Sequence, residues 1–226
     1  MKNKKIALCI SGKPRSSMFC YPYIYDAFIN NDYDVDVFIH TWDYCRAIDL
    51  YKPKKLEIES EQGVLKEILP QINLNNIRIE GNVSNNILMY YSIKKCFDLV
   101  DTSYSIIIRS RFDLLLQPKF DIYTIIDDLL SKKYEIFIPN EIFNMGGYND
   151  QFAIGTYDSM KIYSNTIFNL NDFTQISGRW HPETFLGMQL NENNIKVYQN
   201  DIDYRLVRSS NVITHWPENP YKFLDL

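Results

Sequence analysis

The sequence predicts an α/β fold with a mixed, mainly parallel central sheet flanked by helices. Three observations carry that expectation. Strand-like and helix-like patterns alternate through Val100, the arrangement that builds parallel sheets. Ile106, Ile107 and Ile108 form a continuous β-branched run, which suits an inner strand covered on both faces. The apolar runs end in polar and charged residues, as they do where a sheet presents its carboxyl edge to a ligand. At 226 residues the chain suits one domain, 1–226.

The elements follow in order. Lys5 to Ile10 is a compact apolar strand that ends in Ser11-Gly12-Lys13-Pro14-Arg15-Ser16. A helix follows, with Ser16 or Ser17 as N-cap. Cys20, Ile24, Ala27 and Phe28 lie on its apolar face, and Pro22 is expected near its first turn. Asp34 to His40 is a second strand, followed by Thr41-Trp42-Asp43. Tyr51 to Ile58 reads as a loop and short strand, and Gln62 to Leu69 as a helix closed by Pro70. Asn73 to Asn82 is polar and expected to be irregular.

From Asn85 to Val100 the period turns helical again, with Met89, Ile93, Cys96, Phe97 and Val100 on one face. The start of that helix, Asn82 to Asn86, is expected near the ligand edge. Tyr104 to Ile108 is the inner strand. After Pro118 come a helix at Tyr123 to Leu130 and a strand at Tyr134 to Ile138. A Gly146-Gly147 pair precedes the polar triplet Asn149-Asp150-Gln151 and the strand Phe152 to Ile154. Met160 to Phe168 is a helix. Pro182 and Glu183 suit the first turn of another. Ile195 to Tyr198 and Tyr204 to Val212 are strands, and His215 follows.

Composition narrows the function. Lys plus Arg is 24 and Asp plus Glu is 28, a formal charge of −4, which argues against a general nucleic-acid binder. Cys9, Cys20, Cys45 and Cys96 form no C-x-x-C pair, so a zinc ribbon is excluded. No signal-peptide core and no apolar span of about 18 residues stands out. The expectation is a soluble, cytoplasmic protein in a reducing compartment.

Two places point to chemistry. Arg109 and Arg111 at the end of the inner strand suit bidentate grip on phosphate oxygens. Asp113 beside them is a candidate ligand for a hard divalent cation. The alternative is a salt-bridge cluster that fixes the strand end. The first loop offers backbone N–H groups, Lys13 and Arg15 near a helix N-terminus, an anion site by type. It is neither a Walker loop nor a G-x-G-x-x-G fingerprint, because Gly12 stands alone.

Taken in order, Ser11-Gly12-Lys13-Pro14-Arg15, Val37-Phe38-Ile39-His40-Thr41-Trp42, Ile108-Arg109-Ser110-Arg111-Phe112-Asp113, Asn149-Asp150-Gln151-Phe152-Ala153-Ile154-Gly155 and Pro182-Glu183 form a familiar series. It resembles the small GT-A glycosyltransferases of large DNA viruses of algae and amoebae and of bacterial surface-polysaccharide loci. The resemblance implies a single GT-A-like domain, with about 1–116 as the nucleotide-sugar half and about 117–226 as the acceptor-side half. It implies a nucleotide diphosphate sugar donor, a glycan or glycoprotein acceptor, and Mn²⁺ or Mg²⁺. It would place the protein in the cytoplasm, the host's if viral. Ser11, Gly12, Lys13, Arg15, Arg109 and Arg111 would hold the donor, and Asp113 and His215 the metal. Asp150 and Glu183 would sit by the acceptor as catalytic carboxylates, the stereochemistry leaning to inversion. The family's Asp-x-Asp motif is incomplete, since Arg111 stands at its first acidic position. A sugar nucleotidyltransferase and a non-catalytic nucleotide- or glycan-binding module are the alternatives.

Overall fold

A computed structural model describes residues 5–116, 121–140 and 146–207, and the backbone of 213–214. The chain begins with β1 (Lys5–Ser11), α1 (Ser17–Ile24), β2 (Asp34–Thr41), α2 (Ala47–Leu50), β3 (Lys55–Ile58) and α3 (Glu61–Ile68). It continues with β4 (Arg78–Ile79), α4 (Val83–Asp98), β5 (Ile106–Ser110), β6 (Leu114–Leu116), α5 (Ile122–Leu130) and β7 (Ile136–Pro139). Next come β8 (Ala153–Thr156), α6 (Tyr157–Ser164), α7 (Leu170–Ser177), β9 (Arg179–Trp180), α8 (Pro182–Glu192), β10 (Val197–Asn200), β11 (Tyr204–Val207) and β12 (Ile213–Thr214).

The main sheet has seven strands in the order β10-β7-β8-β5-β1-β2-β3. β3, β2, β1 and β5 are mutually parallel. β8 runs antiparallel to both its neighbours, β5 and β7, and β10 is parallel to β7. β8 is therefore reversed against the rest of the sheet. This is the mixed, mainly parallel sheet that the alternation of patterns predicts.

Side-chain alternation explains why β1 and β5 sit at its centre. Ile6, Leu8 and Ile10 face one layer with Ile106 and Ile108, packed on Cys20, Ile24, Ile125, Ile126 and Leu129 of α1 and α5. Ala7, Cys9 and Ile107 face the other, packed on α4, α6 and α8 through Tyr90, Ile93, Cys96, Tyr163 and Phe185. The isoleucine run is thus buried on both sides, each side chain contributing roughly 1.5–3 kcal/mol. All four cysteines are free thiols. Among the described residues no helix is long and apolar enough to cross a membrane.

Several local expectations need correction. Ser16 occupies the N-cap position of α1, but in a left-handed conformation, φ 50°, not the extended one of a capping serine. Pro22 lies in the second turn of α1, and the helix widens to a π-turn at Tyr25–Ile29 directly after it, consistent with the missing N–H. The segment Asn73 to Asn82 is not wholly irregular, because β4 pairs parallel with β9. α7 is a helix that the sequence reading left unassigned. β6 leaves the main sheet and joins β11 and β12 in a second, three-stranded one.

Candidate functional site

The parallel strands β1, β2 and β5 end on one edge of the sheet. Ser11 pairs with His40 there, and Arg109 is level with Cys9. Reversed β8 begins at the same edge, since Arg109 pairs with Ala153. One antiparallel strand thereby delivers Asp150 and Gln151, from the second half of the chain, to the end of a strand in the first half.

A cleft of about 300 Å³ opens at this edge, within the usual range for small-molecule sites. Ser11, Gly12, Lys13 and Arg15 line it, as do Arg109, Arg111 and Asp113, and Asp150 and Glu183. Every site residue expected from the sequence stands in this one cleft except His215, which lies outside the described residues. Trp42, Glu61, Asn82, Asn85, Asn86, Leu88, Met89, Gln151 and Pro182 complete its walls.

The first loop is shaped by Gly12. Its φ of 108° is one that side chains other than glycine's disfavour, and its N–H donates to the His40 carbonyl at 3.1 Å. Ser17 Oγ donates to the Pro14 carbonyl at 2.9 Å. Lys13 Nζ lies 2.8 Å from Glu61 Oε1 at the start of α3. His40 itself is fully buried, held by Ser92 Oγ at 2.8 Å and Glu59 Oε2 at 3.2 Å. It does not line the cleft.

Arg111 and Asp113 form a side-on bidentate pair. Arg111 Nε donates to Asp113 Oδ1 at 2.7 Å and Nη2 to Oδ2 at 2.9 Å. Asp113 is only 3% exposed. Burial alone would lower the Arg111 pKa, but the charge and hydrogen bonds of Asp113, with Asp150 behind it, hold it above the usual value. Arg109 is 2% exposed, and its Nη1 donates to the Gln151 carbonyl. Its Nε–H has no partner among the described residues. Burial, and the like charge of Arg111, push its pKa down against the pull of Tyr163, Asp150 and Asp113.

Asp150 is 5% exposed. Burial raises its pKa above that of an ordinary aspartate, although Arg109, Arg111 and His181 oppose the shift. Its carbonyl accepts from Tyr163 Oη at 3.3 Å. Asn149 does not line the cleft. It is fully buried, its Oδ1 accepts from the Gln151 N–H at 2.8 Å, and its Nδ2 donates to Tyr204. It shapes the turn that carries Asp150 and Gln151 instead.

Glu183 is tied to that turn by backbone. Tyr148 N donates to the Glu183 carbonyl at 3.0 Å, and a Cβ at Gly147 would stand 1.9 Å from that carbonyl oxygen. Only glycine lets the two segments approach this closely. His181 caps α8, its Nδ1 accepting from Thr184 N at 3.3 Å. The imidazole proton is therefore on Nε2, which lies 3.2 Å from Glu183 Oε2. Burial lowers the His181 pKa. Pro182 opens α8 as expected, and its carbonyl accepts from Tyr90 at 2.7 Å.

The residues fit an anionic ligand better than a divalent cation. Both oxygens of Asp113 are taken by Arg111. Among the described residues no group of three or more His, Cys, Asp and Glu side chains could hold a metal ion.

The sequence reading missed Trp42 and Glu61 as cleft residues. Trp42 had a signal, since it follows the polar end of β2. It stacks on Tyr91 with ring centroids 5.8 Å apart. Glu61 carries no local mark and is placed only by the packing of α3.

No protein-family model matches the chain, and no curated protein matches it in sequence. Its structure is similar to the crystal structure of mouse xyloside xylosyltransferase 1 in its apo form, with a TM-score of 0.52 at 10% identity, over 89% of this chain and 86% of that one. The shared architecture is a GT-A-like fold.

Proposed function

We propose that the chain is a glycosyltransferase that moves a sugar from a nucleotide diphosphate sugar to a glycan or glycoprotein acceptor. One observation carries this reading. The loop after β1, the two arginines after β5 and the carboxylates Asp150 and Glu183 all line one cleft at the carboxyl edge of the sheet. The likeness in fold to a xylosyltransferase supports it.

In this reading the donor's diphosphate lies against the first loop, Arg109 and Arg111. As the bond from the anomeric carbon to the phosphate oxygen breaks, the guanidiniums take the charge that develops on the leaving group. The acceptor oxygen forms the new bond and loses its proton to a carboxylate within reach. Asp150 suits that task, because a raised pKa makes its carboxylate a stronger base. Glu183, its Oε2 3.2 Å from His181 Nε2, is the second candidate. A base on the acceptor side gives a single displacement and so inversion. Asn82, Asn85 and Asn86 at the start of α4, with Gln151, are the groups that would read sugar hydroxyls.

A thermal-shift panel of UDP-, GDP- and dTDP-sugars tests the donor site. A donor at ~100 times its Kd stabilises by about 2.7 kcal/mol, or roughly 5–11 °C in a domain of this size. If no nucleotide sugar raises Tm, the donor-site reading is wrong. Donor consumption then separates transfer from a binding module, which would bind without turnover.

A further inference from the structure

We infer that Arg109 and Arg111 take the place of a divalent cation at the donor's diphosphate, so that nucleoside diphosphates bind this chain without metal. The inference rests on the donor-site reading above and concerns how that site carries charge.

The Arg111–Asp113 pair is the first ground. A cation on Asp113 would compete with a bidentate guanidinium at 2.7 and 2.9 Å for a carboxylate that is almost wholly buried. Displacing Arg111 would leave its own charge without that partner in a closed site. The incoming cation would also meet two guanidiniums of like charge, Arg109 and Arg111, in the same cleft. A hard divalent ion prefers several oxygen ligands; of the carboxylates lining this cleft, Asp113 is already engaged by Arg111, and Asp150 lies in the field of Arg109 and Arg111.

The donor groups of the arginines are the second ground. Pairing with Asp113 uses two of the five N–H donors of a guanidinium. The other three on Arg111 remain for an anionic oxygen. Arg109 spends one N–H on the Gln151 carbonyl, and its buried Nε–H has no partner among the described residues. A buried donor without an acceptor is costly, and a phosphate oxygen is a strong acceptor for it. In this site Asp113 serves to aim Arg111.

Calorimetric titration of UDP, GDP and dTDP into the full chain tests the inference, once with excess Mn²⁺ and once with excess EDTA. For the nucleotide that binds, the Kd values are expected to agree within about threefold, which is under about 0.7 kcal/mol. Asp113→Asn, which leaves one acceptor for Arg111 in place of two, is expected to change Kd by the same factor, within about threefold, in the two arms. Arg111→Gln is expected to weaken binding at least about tenfold in both. Binding of the unaltered chain that needs Mn²⁺ overturns the inference and leaves the donor site standing. A loss in Asp113→Asn confined to the Mn²⁺ arm also overturns it, by making Asp113 a metal ligand. If no nucleoside diphosphate binds in either arm, the donor site falls and the inference with it. The comparison on the unaltered chain stands even if a variant fails to fold.

Discussion

Replacing Gly147 by alanine is expected to damage both stability and the site. The added Cβ would stand 1.9 Å from the Glu183 carbonyl oxygen, 2.2 Å from its carbon and 2.6 Å from Thr184 N. All three are backbone atoms in the first turn of α8, so no side chain can rotate away. One of the two segments must move by about 1 Å or more to restore van der Waals contact. Gly187 closes the other side, since a Cβ there would already meet Gly147 Cα at 3.0 Å. Overpacking of this kind costs about 1–3 kcal/mol, and loss of the Tyr148–Glu183 backbone bond adds about 1 kcal/mol. A Tm lowered by roughly 5–15 °C follows. Gly63→Ala is the control, on the exposed face of α3 with its nearest neighbour 4.0 Å away. There alanine is expected to stabilise by about 0.5–1 kcal/mol. Differential scanning calorimetry reads both signs. A Gly147→Ala protein melting within about 2 °C of the parent would refute the close-approach argument, and with it the coupling of the Asp150 turn to Glu183.

Asp150→Asn is expected to lower turnover by ~10² to 10⁴ while nucleotide affinity measured by calorimetry stays within about threefold. Wild-type turnover in that variant would reassign the base to Glu183. Asp150 binds its proton more tightly folded than unfolded. In the window from about pH 4 upward the native state therefore holds more protons, and its contribution makes stability fall as pH rises. Asp150→Asn should remove that slope from denaturation curves measured across pH. The same titration should give the rate an acid limb above the ordinary aspartate range, absent from the variant. His181→Ala deletes the cap of α8 and is expected to cost about 1 kcal/mol, seen as a Tm drop of roughly 2–4 °C.

The strands that frame the site were legible because their signal is local. The Ile106–Ile108 run and the compact apolar run in β1 carry their own burial pattern, and polar ends at Ser11 and Arg109 mark the edge. The direction of β8 was not legible, because four residues, Ala153–Thr156, carry no mark of parallel or antiparallel pairing. Yet that direction brings Asp150 beside Arg109. The pairing of Asp113 with Arg111 was legible only as the salt-bridge alternative. An Arg-Phe-Asp triplet in an extended strand would point both charges to one side, but only the turn at 111–113 sets the side-on geometry with Arg111. The part that Asn149 plays in its turn was not legible either, because nothing local reveals Tyr204, 55 residues on, as its partner.

The turn that bears Arg111 and Asp113 has its anchor far down the chain. The Asp113 carbonyl accepts from Val207 N at 2.8 Å, and β11 supplies the antiparallel partner of β6. During synthesis the first strands of the sheet emerge and can collapse early, but the turn waits for residues 204–207 to leave the ribosome. Long-range closure of this kind is slow relative to local pairing. A nascent chain stalled before Tyr204 should therefore hold folded sheet while failing to bind nucleotide. Competence at this cleft would then arrive as one of the last events of folding, and nucleotide binding by arrested chains of increasing length would time it.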